Sequence, residues 1–291
     1  MSATNEGAEV AVIGLGVIGG SAALRVSERG TKVRGFSTSA ADRALAADAG
    51  LSVASSLDEA VRGVGLVLIA VPLDHICAVA GQVIGAAPSS ATILHAGSLQ
   101  RSEALRGLPE VMSRLLGTHP LAGSHRTGFA AARRDLFRDA IVFVEQRGGP
   151  RQKEDAEFFW SLAGARRIEY ASAHDHDDVM AWVSHLPQLA STALAGALAG
   201  SVNRPLPVRA GPGARDATRL AMSNYEMWRP ILERAPEETL SALRALESGV
   251  QDLRAALETG DWQTIRDLWL RAAAWREAAE PGAEAEAVTR G

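Results

Sequence analysis

The amino-acid sequence predicts an α/β chain: a doubly wound parallel sheet in the N-terminal part, followed by an all-α helical part. Two patterns predict this. Across residues 1–170, short apolar runs alternate with helical stretches, and several runs are apolar throughout, as in strands covered on both faces. After Tyr170 no further strand pattern is found, and apolar residues fall at helical spacing. A hydrophobic content of 47% over 291 residues suffices for a real core and for one large or two ordinary domains.

Strand candidates come in order at 9–14 (EVAVIG), 32–36 (KVRGF), 66–71 (LVLIAV), 92–97 (TILHAG), 115–119 (LLGTH) and 141–146 (IVFVEQ), with a short seventh at 166–170 (RRIEY). Helical stretches at 18–29, 39–49, 74–86 and 101–107, and one around EDAEFFWSLAGA, separate them. Behind Tyr170, Val179, Trp182, Val183, Leu186, Leu189, Ala190, Ala193 and Leu194 keep helical spacing. Leu243, Leu246, Val250, Leu253 and Leu257 step by threes and fours. That seam suits a bundle or a second subunit, and reads equally well as an ordinary core helix. GPGARDATR (211–219) interrupts the helices, and the tail 281–291 has a disordered composition. The expected domains are 1–170 and 171–280, the second carrying substrate-binding and dimerisation surfaces.

Composition excludes several classes. Lys plus Arg is 30 against 34 for Asp plus Glu, with no basic block, so no nucleic-acid partner is expected. The most apolar segments, 64–73 and 189–200, are too short to span a bilayer, so no membrane association is expected. Cys77 is the only cysteine, which leaves no internal disulfide and no cysteine-cluster metal site. The stretch MSATNEGAEV has no signal-peptide pattern, and the expected location is the cytoplasm.

Gly14, Gly16 and Gly19 form a GxGxxG directly after a strand and at the head of an apolar helix, the context of a Rossmann-like dinucleotide site. Gly14 makes the tight turn, Gly16 admits a pyrophosphate, and Gly19 allows close helix–strand packing. A purely structural glycine turn is the alternative. The expected cofactor contacts are Gly14, Leu15, Gly16, Val17, Ile18 and Gly19, together with Val71 and Pro72 at the end of a later strand. About 20 residues beyond the turn, NAD sites place an acid for the ribose hydroxyls. Here Ser37 and Thr38 stand there, with Arg43 near. Hydroxyls and an arginine accept a 2′-phosphate, so NAD(P) is expected with NADP slightly favoured. Arg43 on an exposed helix face, with Asp42 reaching the ribose, is the alternative.

Ligands bind beyond the carboxyl ends of strands in such sheets. Ser98 follows one strand and His119 ends another, within GTHPLAGSHRTGF. A neutral histidine beside a nicotinamide suits a general base that takes a hydroxyl proton as hydride leaves the carbon. A histidine satisfied at a strand end is the alternative. In SHLPQ, Ser184, His185 and Gln188 share a helix face, and Pro187 predicts a kink there. His174 and His176 in AHDHDD are read as a helix start capped by Asp175 or Asp177, with no metal site expected. His95 is read as a packing residue.

Taken together, VIGLGVIGGS, HAGSLQ, GTHPLAGSHRTGF, SAHDHDDVMAWVSHLPQLAS and GPGARDATRLAMSNYEMW resemble, in this order, the prephenate and arogenate dehydrogenases of tyrosine synthesis. The resemblance covers roughly residues 9–235. It implies an N-terminal dinucleotide-binding domain, a helical dimer-forming domain, and NAD(P)-dependent oxidative decarboxylation of a small anionic cyclohexadiene to 4-hydroxyphenylpyruvate or tyrosine. It further implies that His119 is the catalytic base, that Ser98 holds the ring hydroxyl, and that Arg219 binds a substrate carboxylate. Arg126 and Arg215 stand where the family often has basic residues, Ser124 and His125 line the entry loop, and Trp228 resembles a tryptophan contributed near the site across the dimer. Gln188 replaces a common histidine and His125 a glutamate. Those two departures leave the substrate side chain open. A 4-amino-4-deoxyprephenate dehydrogenase and a non-catalytic dinucleotide sensor are the alternatives. A β-hydroxyacid-type dehydrogenase would want a catalytic lysine, and the only lysines are Lys32 and Lys153.

Overall fold

The structure, a computed structural model, describes residues 9–106, 109–124, 126–200 and 209–279. The tail 281–291 lies outside the described residues. Eight strands form one sheet: β1 (Glu9–Ile13), β2 (Lys32–Phe36), β3 (Ser52–Val53), β4 (Leu66–Ile69), β5 (Thr92–His95), β6 (Leu115–Pro120), β7 (Ile141–Glu145) and β8 (Arg167–Ala171). Their order is β3-β2-β1-β4-β5-β6-β7-β8. The pairs from β3 through β6 are parallel, β7 runs antiparallel to β6, and β8 is parallel to β7. The sheet is parallel over six strands, as expected, and its last two strands, β7 and β8, run in reverse. The two-residue β3 is an addition, too short to show a pattern.

Alternation along the strands builds two cores. Val10, Val12, Leu66, Leu68, Leu94 and Leu116 face one side, under α1 (Val17–Glu28) and α7 (Pro150–Ala163). Ala11, Ile13, Val67, Ile69, Ile93 and Leu115 face the other, under α3 (Leu57–Val61) and α4 (Ile76–Ala86). This is the period-2 rule of a pleated strand applied to a sheet with helices on both sides.

Beyond β8 come α8 (Ala173–Met180), a π turn (Ala181–His185) and α9 (Leu186–Ala199). Ser172 caps α8, its hydroxyl accepting the Asp175 N–H at 3.0 Å, so neither Asp175 nor Asp177 is the cap. Pro187 stands in the first turn of α9, and the interruption expected there takes the form of the π turn just before it. The helical run buries a largely polar stripe: His176, Asp177, Met180, Ala181, His185, Gln188 and Ser191. Val179, Trp182 and Val183 are exposed at 44%, 42% and 52%, so the apolar periodicity marks the outer face.

The chain forms two compact units, Met1–Thr239 and Leu240–Gly291. The first takes in the sheet and the helices after it, including α10 (Pro212–Ala217) and α11 (Tyr225–Glu233). The second holds most of α12 (Glu237–Thr259) and all of α13 (Trp262–Ala278). Leu243, Val250, Leu253 and Leu257 of the heptad-like seam are exposed, as are Trp262, Trp269 and Trp275. No described helix is long and apolar enough to cross a membrane.

Candidate active site

The turn between β1 and α1 is shaped by its glycines. Gly14 has φ +96°, and a Cβ there would lie 2.3 Å from the Ala70 carbonyl oxygen. A Cβ at Gly19 would lie 1.9 Å from the Gly14 carbonyl oxygen. A Cβ at Gly16 would meet nothing within 4 Å. Two glycines thus close the turn and the third opens it. The α1 N-terminus carries no side-chain cap and no acidic residue in its first turn, so its N–H groups are free for an anion. These features fit a dinucleotide pyrophosphate. Leu15 is wholly buried and offers only its backbone, while Val17 and Ile18 are half-buried. Val71 and Pro72 follow β4, half-buried and exposed.

At the end of β2, Ser37 is buried and its hydroxyl accepts the Ser39 N–H at 3.2 Å; Thr38 is exposed. The Arg43 guanidinium donates to the Ser37 carbonyl, which places it against the β2 terminus. Asp42 is engaged elsewhere: its carboxylate accepts the Phe129 N–H at 2.8 Å. Phe129 packs on Gly20 of α1, where a Cβ would come 2.8 Å from its ring. The far end of the histidine loop is thereby pinned against the dinucleotide turn.

β5 and β6 are paired with His95 opposite Gly117. Ser98 lies three residues beyond β5 and His119 is the next-to-last residue of β6, at neighbouring carboxyl ends, and both are half-buried. Burial and the nearby imidazoles of His176, His185 and His95 hold the His119 ring well below the usual histidine value. It is neutral at pH 7 and able to accept a proton.

Behind His119 stands a buried chain of groups. His119 Nδ1 is 2.9 Å from His176 Nε2, and His176 Nδ1 is 2.7 Å from an Asp177 carboxylate oxygen. Asp177 also accepts the backbone N–H of Gln100 at 2.9 Å and of Arg101 at 3.1 Å. The His176 ring sits edge-on to Phe143, 5.1 Å between centroids, and Phe143 is the β7 residue paired with His119. Sequence reasoning missed His176, Asp177 and Gln100 as site residues. The available signal was the helical spacing of His176, Asp177, Met180 and Ala181.

The remaining candidates fall around α9 and the loops. Arg219 is exposed and opens a short 3-10 turn, Arg219–Met222. That turn is fastened to α9: the Gln188 amide donates to the Leu220 carbonyl at 2.9 Å, and the Ala221 N–H donates to Ser191 at 3.2 Å. The Gln188 amide donors are thus shared between Leu220 of the Arg219 turn and, at 3.2 Å, the Thr192 hydroxyl. Ser184 is half-buried in the π turn. Arg215 and Arg126 are exposed, and Ser124 accepts the Arg126 N–H at 3.0 Å. His125 lies outside the described residues. Trp228 packs within its own chain, edge-on to His185 at 6.0 Å, while His185 meets Thr239 at 2.9 Å. A cavity of about 570 Å³ lined by Gln100, Arg101, Glu145, Arg147, Ser172 and His174 contains none of the predicted site residues. Its arginines are already paired with Asp178 and Glu145.

Residues 21–169 match the family model for the prephenate dehydrogenase nucleotide-binding domain, and 172–270 that for the prephenate dehydrogenase dimerization domain. The cyclohexadienyl dehydrogenase of Zymomonas mobilis is 32% identical over 265 residues, covering 87% of this chain and 89% of that one. The prephenate dehydrogenase of Bacillus subtilis is 27% identical over 271 residues, covering 88% and 72%. Prephenate dehydrogenase from Aquifex aeolicus, crystallised with hydroxyphenyl propionate and NAD+, shares the fold with a TM-score of 0.83 at 23% identity, covering 95% of this chain and 100% of that one. With both domain models matched over most of its length, the chain belongs to the prephenate dehydrogenase family, NAD(P)-binding oxidoreductases that carry out an oxidative decarboxylation.

Proposed function

We propose that this chain oxidatively decarboxylates prephenate or arogenate, giving 4-hydroxyphenylpyruvate or tyrosine. The observation that carries the reading is His119, a neutral imidazole at the carboxyl end of β6 beside the segment bearing Ser98. A nicotinamide dinucleotide held at the Gly14, Gly16 and Gly19 turn would supply the acceptor for hydride from the hydroxyl-bearing ring carbon. His119 takes the hydroxyl proton as that carbon is oxidised and returns it to the ring oxygen. Ser98 orients the hydroxyl. The ring carboxylate leaves as CO2, and aromatisation makes the step irreversible. Arg219 holds a substrate carboxylate in a bidentate fork, with Arg126 and Arg215 forming a cationic entry beside Ser124 and His125. Ser184, Gln188 and Trp228 face the substrate side chain.

Residues 1–170 serve the dinucleotide in this reading, and 171–280 serve substrate and a second copy of the chain. The exposed apolar side chains of α12 and the matched dimerization model support a homodimer. NADP is the preferred cofactor. The absence of a carboxylate after β2, the position of Arg43 and the engagement of Asp42 by Phe129 support that preference.

A steady-state assay pairing prephenate or arogenate with NAD or NADP tests all of this. Strong turnover with NADP is expected. Arg43→Ala should raise KM for NADP about tenfold, the loss of one charge-assisted phosphate contact, and leave KM for NAD within about twofold. A folded, dinucleotide-binding protein with no turnover on any pair would overturn the reading in favour of 4-amino-4-deoxyprephenate or a sensing role.

A further inference from the structure

The groups behind His119 form a one-way hydrogen-bond chain. Asp177 is fully buried, and its carboxylate can only accept. Three donors already surround it: the Gln100 and Arg101 backbone N–H groups and, at 3.8 Å, the Arg101 guanidinium. The His176 nitrogen that faces Asp177 is Nδ1, so Nδ1 carries the His176 proton. With that single ring proton, His176 leaves Nε2 bare, and Nε2 lies 2.9 Å from His119 Nδ1. The bond requires a proton on His119 Nδ1. A neutral imidazole has one ring proton, so His119 Nε2 is the nitrogen left bare. His176 and Asp177 are 1% and 0% exposed, so water does not compete for these bonds.

We propose that the buried His176–Asp177 pair is the positioning element of this site: it fixes His119 in the Nδ1–H tautomer and presents Nε2 as the base. The same carboxylate grips the backbone of Gln100 and Arg101, directly after Ser98 and Leu99. One buried anion therefore sets both the nitrogen that receives the proton and the segment carrying the hydroxyl that orients it. When His119 is protonated, its Nδ1–H still points into the chain that ends at Asp177, which stabilises the imidazolium. The charged and titratable groups facing the two rings are Asp177 and Arg101 on one side and His95 and His185 on the other. The proposal rests on His119 being the base of the reaction given above, and its test separates the two.

Ligand-free protein labelled with ¹⁵N-histidine reports which ring nitrogen carries each proton through its two-bond couplings. The His119 signal is assigned by its loss in His119→Asn. Nδ1–H is expected for both His119 and His176, and Nε2–H at His119 would overturn the proposal. Kinetics give a second, independent reading. His176→Leu removes the acceptor and should lower kcat about 10²-fold or more, the scale of general-base catalysis, with KM changed less than about threefold. His176→Gln returns an acceptor oxygen near the Nε2 position and should recover about tenfold of that loss. Full kcat in His176→Leu would sink the idea. If the leucine variant does not fold, the tautomer in the unmodified protein decides. If the unmodified protein turns over neither substrate, the functional reading falls and the tautomer is still measured.

Discussion

His95 is wholly enclosed at the end of β5, where burial first, and the neighbouring Arg147 and His176 second, push its imidazole down to about 3. His185 is likewise buried and held at about 4. The unfolded chain binds a proton at each of these near pH 6.5, and the folded chain does not, so the unfolded state gains protons as pH falls. Stability from these two groups is therefore full above about pH 6.5 and is lost as pH drops toward their folded values. For His95 alone the loss from pH 7 to pH 5 is about 2 kcal/mol. Urea midpoints at the two pH values should show it, and His95→Gln should flatten the slope; an unchanged slope would show that His95 titrates normally. His95 was legible as a packing residue, because it ends an apolar strand. His176 and Asp177 were not legible as site residues. In AHDHDD, five polar residues in a row read as a helix start, and only the fold shows that two of them turn inward.

The elements divide into those that announce themselves and those that mislead. Strands β1, β4, β5 and β7 could be read from apolar runs, β2 and β6 from their places in the strand–helix alternation, and the glycine turn from its place between strand and helix. The α8–α9 run misleads, because its apolar residues face outward and its polar ones inward. Burying polar groups is costly unless they are bonded, and here Asp177, His185, Gln188 and Ser191 all have partners. The β1–α1 turn permits a clean separation of folding from binding. Gly19→Ala drives a Cβ into the Gly14 carbonyl and should cost about 2 kcal/mol of stability along with dinucleotide affinity. Gly16→Ala meets nothing in the protein and should change stability by less than about 0.5 kcal/mol while still weakening dinucleotide binding. Thermal melts and dinucleotide titrations of both variants would check this, and equal destabilisation by both would contradict it.

At the scale of the whole molecule, the reversal of β7 and β8 could not be read in advance, because an apolar run fixes that a strand is buried but not which way it runs. The reversal matters to the site. The reversed β8 ends with Ala171 beside Glu145, near the level at which His95 pairs with Gly117, so α8 starts close to the carboxyl ends of β5 and β6 and carries His176 to His119. The contact thus joins residues 57 apart in the chain, and the Asp177–Gln100 bond joins residues 77 apart. Long closures cost entropy before any bond rewards them, so such contacts form late in folding. On dilution from denaturant, helical circular dichroism should return before turnover does, and simultaneous recovery would argue against this order. A newly made chain would then pass through a stage that has its secondary structure but cannot yet hold its base, and its chemistry would switch on only when the last segment of the sheet has closed.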